Sequence, residues 1–246
     1  MTKSTRSATI LMLSLGVLLL AGTSRAQTRP PIVDELAKTY GLDSFGQLDA
    51  IRYTFNLELP DLKVNLSRTW TWEPKTGQVT YESKDKDGKP VRVSYVRSQI
   101  SSAPANVKDE VEPAFVNDNY WFIFPFHAYW DTSAIVTVKD MQKLPLGKGS
   151  AKLVSVKYPP EVGGYTPGDT WDLYLGSDGR VKEFTYHRGG PKKPSLLSTT
   201  WAGYKKAGPL LVSTDHRGIA DGKAARIFFS NVAFKLAGSD KWTDAQ

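Results

Sequence analysis

The sequence predicts a mainly β protein of the α+β kind, a strongly curved antiparallel sheet or unclosed barrel of about 10–11 strands with a few helices covering its concave face. Three observations carry this. Apolar and polar residues alternate strictly in several segments, as in Ile51, Tyr53, Phe55, Leu57 and Leu59 against Arg52, Thr54, Asn56 and Glu58. Thr76-Gly77, Asp87-Gly88 and Asp178-Gly179 supply the positive-φ residues of short hairpins, so neighbouring strands run antiparallel. No βαβ rhythm and no glycine-rich phosphate loop is present, which excludes the parallel-sheet nucleotide folds.

In chain order, residues 1–26 come first and read as a signal peptide. Lys3 and Arg6 make a basic start, residues 10–21 are almost unbroken apolar sequence, and Ser24-Arg25-Ala26 places the cut after Ala26. The apolar core is shorter than the roughly 20 residues of a membrane span, so no stable span is expected after processing. Removing Lys3, Arg6 and Arg25 and no acid lowers the formal charge from +7 to +4. Residues 27–246 then form one domain, exported to the periplasm or beyond. The chain contains no cysteine, which excludes disulfides, thiolate metal sites, thiol nucleophiles and an acylated N-terminal cysteine.

Residues 31–40 form a short amphipathic helix, with Ile32, Leu36 and Tyr40 on one side and Gly41 at its end. The strand at 51–59 follows. In the next, Val64, Leu66, Trp70 and Trp72 occupy one face, which only Arg68 interrupts. Further strands are expected near 78–83, 91–96, 134–138, 152–158, 170–175, 180–186, 197–204, 210–214 and 225–236. A second helix starts near Asn106, with Val107, Val111 and Phe115 in phase, and Pro113 limits its regularity. After it comes the segment 120–130, where Tyr120, Trp121, Phe122, Phe124, Phe126, Tyr129 and Trp130 surround His127. Such a segment fills the concave face as core, lines a cavity or lid for an apolar ligand, or inserts into a membrane surface.

Chemistry is harder to find. His127, His187 and His216 stand in no H-E-x-x-H, H-x-H or nucleophile-elbow motif. His187-Arg188-Gly189 and His216-Arg217-Gly218 repeat a short pattern, which is a shared strand-exit turn or else a pair of His-Arg groups meeting at one rim to hold an anionic head group. Asp215 and His216 point to opposite faces of a strand, which argues against a triad with Ser213. Lys84-Asp85-Lys86-Asp87-Gly88-Lys89 lacks the distal glutamate of a calcium loop. No metal and no cofactor is expected. Dispersed lysine pairs and export weigh against a nucleic-acid partner.

Two hairpin segments, Trp72-Glu73-Pro74-Lys75-Thr76-Gly77-Gln78-Val79 and Leu173-Tyr174-Leu175-Gly176-Ser177-Asp178-Gly179-Arg180-Val181, together with the strand order, resemble the LolA/LolB-like superfamily of periplasmic lipoprotein carriers. The resemblance covers most of the chain after residue 26. The long aromatic run and the repeated His-Arg-Gly set it apart from the dedicated lipoprotein shuttle, as a separate exported branch. The resemblance implies an unclosed barrel around helices and a non-enzymatic carrier of a lipid, an acyl chain or another apolar molecule. The lining would come from Tyr53, Phe55, Trp70, Trp72, Trp121, Phe124, Phe126, Trp130, Trp171 and Trp201, with His187, Arg188, His216 and Arg217 as polar rim candidates. Two alternatives stay open: a scaffold that offers a sheet edge to an envelope protein, and a hydrolase using a rim His/Asp site.

Overall fold

The computed structural model describes residues 29–161, 166–190 and 193–246. The signal-peptide expectation lies outside the described residues. Helix α1 (Pro31–Thr39) begins with proline at its first turn, where a missing N–H costs nothing. It buries Val33, Leu36 and Ala37, and Ile32 packs, partly buried, against the same core. It ends at Gly41, whose φ of 101° is open to glycine and whose Cβ would meet the Pro209 carbonyl. A single turn, α2 (Leu42–Phe45), leads into the sheet.

The first meander is β1 (Leu48–Leu59), β2 (Val64–Glu73), β3 (Gln78–Lys84) and β4 (Pro90–Val96). The second is β5 (Ile135–Lys143), β6 (Ser150–Lys157), β7 (Thr170–Leu175), β8 (Val181–Arg188) and β9 (Ser195–Thr200). A small hairpin, β10 (Lys205–Ala207) with β11 (Leu210–Val212), stands apart. Strands β12 (Asp215–Ala220) and β13 (Lys223–Leu236) join the two meanders, and β14 (Trp242–Asp244) pairs with β13. The order is β4-β3-β2-β1-β13-β12-β9-β8-β7-β6-β5, antiparallel throughout and unclosed. Gly77, Gly88 and Gly179 have φ of 72°, 78° and 75°, as their hairpins require. Strand β12 was not among the expected strands. Gly218 breaks it and Asp215 and Arg217 share its outer side, so the apolar alternation that marks the other strands is missing.

The two edge strands, β4 and β5, are consecutive in sequence. The connection between them therefore has to cross the whole concave face. It does so as a π-helical turn (Val107–Val111) continued by α3 (Glu112–Trp130). Pro113, expected to limit the regularity of the second helix, sits in the first turn of α3, where it is tolerated, and the aromatic segment expected after that helix is the helix's own second half. The break comes later, at Ile123 (φ −130°, ψ 35°), two residues before Pro125, which offers no N–H and crowds the carbonyl one turn back.

The sheet has a dry and a wet face. Ile51, Tyr53, Phe55, Trp70, Val79, Trp171 and Phe184 are at most 2% exposed and point at α3. On the outer face hydroxyls pair across strands, Thr54 with Thr69 at 2.9 Å, Thr80 with Ser94 at 2.9 Å and Thr185 with Ser198 at 3.0 Å. Each buried aromatic contributes about 1.5–3 kcal/mol by leaving water, so the helix–sheet seam is the main source of stability.

Candidate binding sites

Helix α3 fills the concave face. Phe122 stacks on Tyr53 (centroids 4.3 Å apart, 23° between planes), and Phe124 stacks on Trp171 (4.3 Å, 11°). Trp121 lies 5.1 Å from both Trp171 and Phe184. Of the ten residues expected to line a cavity, Tyr53, Phe55, Trp70, Trp121, Phe124, Phe126 and Trp201 are packed core, each no more than 5% exposed. The sequence shows that these side chains are dry but not that they would meet one another. Trp72 and Trp130 do border open space, and Trp171 borders a smaller cavity.

Polar groups fix the helix in place. Arg68, the apparent flaw in the dry face of β2, forks onto the fully buried Asp118 of α3, Nε to Oδ2 at 2.8 Å and Nη2 to Oδ1 at 2.6 Å. The Trp70 indole donates to the same carboxylate at 2.8 Å and Asn117 Nδ2 at 3.1 Å. Burial pushes the Asp118 carboxyl up, and Arg68 pulls it back. One helical turn and a half earlier, Glu112 (1% exposed) accepts Tyr95 Oη at 2.6 Å and pairs with Arg97 at 2.9 Å. At the other end Arg29 donates to the carbonyls of Ala128 and Tyr129, closing the helix C-terminus. In the sequence Arg68 shows only as a charge on an otherwise dry face; its partner Asp118, and Glu112, carry no local signal.

The histidines do not meet at a rim. His216 is 0% exposed, stacked on Trp201 at 4.1 Å, and its Nε2 lies 3.0 Å from Ser213 Oγ. Because the Ser213 hydroxyl gives its proton to the Ala202 carbonyl, Nε2 carries the hydrogen and donates. Burial lowers this imidazole to about 3, so it is neutral. His187 faces solvent on the outer side of β8 and contacts Asp172 at 2.9 Å. The expected His-Arg rim is therefore corrected: β9 separates the two strands, and the two rings point to opposite faces. Arg188 turns to the Lys193 carbonyl, and Arg217 to Asp215. The repeated glycines have a packing reason instead, since a Cβ at Gly189 would strike the Gly168 backbone and one at Gly218 the backbone of Ser198. His127, inside the aromatic run, donates from Nε2 to Asn119 Oδ1 at 2.8 Å; burial lowers it to about 4.

Two spaces adjoin α3. At its C-terminal end an open groove of ≈370 Å³ is walled by Phe45, Leu48, Trp72, Pro74 and Trp130, with Lys75 at its border. Lys75 is held by Asp49 at 2.8 Å, both side chains well exposed. Beside its N-terminal half, a more enclosed cavity of ≈140 Å³ is lined by Pro113, Val116, Asn117 and Tyr120 of the helix and by Thr166, Asp169, Trp171 and Tyr186 of the sheet side. Among the described residues no cluster of three or more His, Cys, Asp or Glu could hold a metal, and no helix is long and apolar enough to cross a membrane.

No protein-family model and no curated protein matches the chain. Among solved structures it is similar to a DUF1329 family protein from Desulfovibrio piger, at 9% identity over 85% of this chain and 94% of that one, with a TM-score of 0.43. It is also similar to an outer membrane lipoprotein-sorting protein domain from Vibrio parahaemolyticus (11% identity, 85% and 93% covered, TM-score 0.46). A third is a LolA superfamily protein from Nitrosomonas europaea (8% identity, 84% and 94% covered, TM-score 0.43). At these identities the likeness is one of chain trace. The class that the strand order itself defines is an unclosed antiparallel half-barrel plugged by a helix, the architecture that the resemblance to LolA/LolB-like carriers implies.

Proposed function

We propose that the protein is an exported, non-catalytic binder of an amphiphile, and that it takes an acyl chain or similar apolar group into the groove between Phe45, Leu48, Trp72 and Trp130. The groove is the observation that supports this reading. Its ≈370 Å³ lies within the range of ligand pockets, and its walls are aromatic and aliphatic, with one ammonium at the border. Lys75, freed from its exposed partner Asp49, would meet a carboxylate or phosphate head while the chain lies on Trp72 and Trp130. Deeper entry would move Phe126, whose ring is 5.2 Å from Phe45 and 5.5 Å from Trp130. That side chain follows the break at Ile123 and Pro125, where the helical ladder is already interrupted. Export rests on the sequence of residues 1–26.

A fatty acid carrying bromine on its chain tests the reading through tryptophan fluorescence. Saturable partial quenching is expected, abolished by Phe45→Asp and weakened about tenfold or more by Trp130→Ala, the loss of about 1.5 kcal/mol of apolar contact. Absence of saturable quenching, together with native mass spectra of the periplasmic protein that never show a bound lipid, would overturn it.

A further inference from the structure

The cavity beside the N-terminal half of α3 has a chemistry of its own. Pro113, Val116, Asn117 and Tyr120 recur at the spacing of one helical face, so a whole stripe of α3 forms one wall. The opposite wall carries Asp169, whose side chain is sealed from bulk water at 3% exposure. Oδ2 of Asp169 accepts the Tyr186 hydroxyl at 2.9 Å and Oδ1 accepts the Gly189 N–H at 2.8 Å. Both donors are neutral. Burial and the neighbouring Asp169 push the Tyr186 hydroxyl up, so it stays protonated. The charge of Arg188 reaches the Tyr186 hydroxyl, but its Nε donates to the Lys193 carbonyl and it makes no ion pair with Asp169. Among the described residues, then, this buried carboxylate has hydrogen bonds and no ion pair, whereas buried charges are ordinarily paired.

Around the carboxylate stand three rings: Trp171 lies 4.9 Å from Tyr186 and 5.9 Å from Tyr120, centroid to centroid, and all three border the cavity. Aromatic faces attract cations, and most strongly cations that shed water easily. One carboxylate among rings offers too few oxygen ligands for calcium or magnesium, which require six or more including water. An anion would be repelled. The volume decides the rest: at ≈140 Å³ the space suits a compact group, since a cavity of about 150 Å³ accepts a molecule the size of benzene and not a long chain.

We propose that the cavity bounded by Asp169, Tyr120, Trp171 and Tyr186 is a binding site for a small organic ammonium ion, with the carboxylate as counter-ion and the three rings against its carbon-bearing cationic centre. The site lies beside the opposite half of the helix from the groove at Trp130, and its occupancy does not depend on what that groove binds.

Choline and tetramethylammonium are the probes, titrated into the whole protein by calorimetry, with potassium chloride matching the ionic strength. The neutral comparison is 3,3-dimethylbutan-1-ol, which has choline's shape with carbon in place of nitrogen. Choline is expected to saturate one site in the millimolar range or below, with the neutral alcohol at least about tenfold weaker. Asp169→Asn should weaken choline about tenfold or more and leave the alcohol unchanged. Tyr186→Phe, which keeps the ring, should stay within about threefold. Equal binding of choline and the alcohol, or no saturation by any ammonium up to roughly 50 mM, or an Asp169→Asn protein that binds choline like the parent, overturns the proposal. The first two comparisons use the unaltered chain, so the outcome stands even if the variant does not fold.

Discussion

Asp118 and Asp169 are both carboxylates shut away from water, on the two flanks of the same helix, and the molecule treats them differently. Asp118 has a forked arginine, an indole N–H and an amide, a full set of charged and neutral donors. Asp169 has a phenol and a backbone N–H, and beside it a cavity. The first arrangement closes the seam between α3 and β2. The second leaves a carboxyl group that, among the described residues, has no ion pair and borders a space, which is the arrangement of a site rather than of a core. Burial alone therefore does not separate structural from functional acids; the identity of the donors does.

The sharpest way to break this contrast is to remove the cation from Asp118. Arg68→Met is expected to cost about 3–5 kcal/mol in urea unfolding, because it strands a buried charge. Adding Asp118→Leu to that variant should recover most of the loss, since replacing both partners by apolar groups is often neutral. A loss under about 1 kcal/mol would mean that Asp118 is held by its neutral donors, like Asp169.

A third solution, staying neutral, belongs to His216. Its folded value is lowered to about 3 by burial, against 6.5 when unfolded, so the unfolded chain takes the proton first as pH falls. This group contributes stability above pH 6.5 that is lost progressively toward pH 3, at about 1.4 kcal/mol per pH unit. Between pH 7 and 5 the parent should therefore lose about 2 kcal/mol more than His216→Phe, read from unfolding free energies at the two values. His127, lowered to about 4, acts in the same direction. Equal slopes for parent and variant would show that the ring is reached by water.

Asp169→Asn should change stability by no more than about 1 kcal/mol, because among the described residues Asp169 makes no ion pair to lose. A fall as large as that of Arg68→Met would reveal a hidden counter-ion and remove the distinction. The smallest effect is expected at His187, whose pair with Asp172 is exposed on the outer face: His187→Ala should cost about 0.5 kcal/mol or less in thermal unfolding, with no effect on choline or fatty-acid binding.

Much of this was legible in the residues, and for a definite reason. Alternation such as Ile51 to Leu59 assigns each side chain to a face, and Thr76-Gly77 or Asp178-Gly179 assigns the turn, because both signals are local. Strand β12 escaped because its outer side carries Asp215 and Arg217 while its one deeply buried side chain is a histidine. The role of Arg68 escaped because its partner lies 50 residues away on another element.

By itself the sequence determined which side chains are dry, where the chain turns, and that neighbouring strands run antiparallel, since these depend on neighbours two to four residues apart. Only the tertiary structure decided what the dry faces enclose. Because β4 and β5 are opposite edges of one sheet, the segment joining them must lie across the concave face, and its rings then meet Tyr53, Trp171 and Phe184 instead of an open cavity. Against that helix, among the described residues, space remains beside its N-terminal half and at its C-terminal end, and the reason is packing: how closely two apolar surfaces fit depends on shapes brought together from distant parts of the chain.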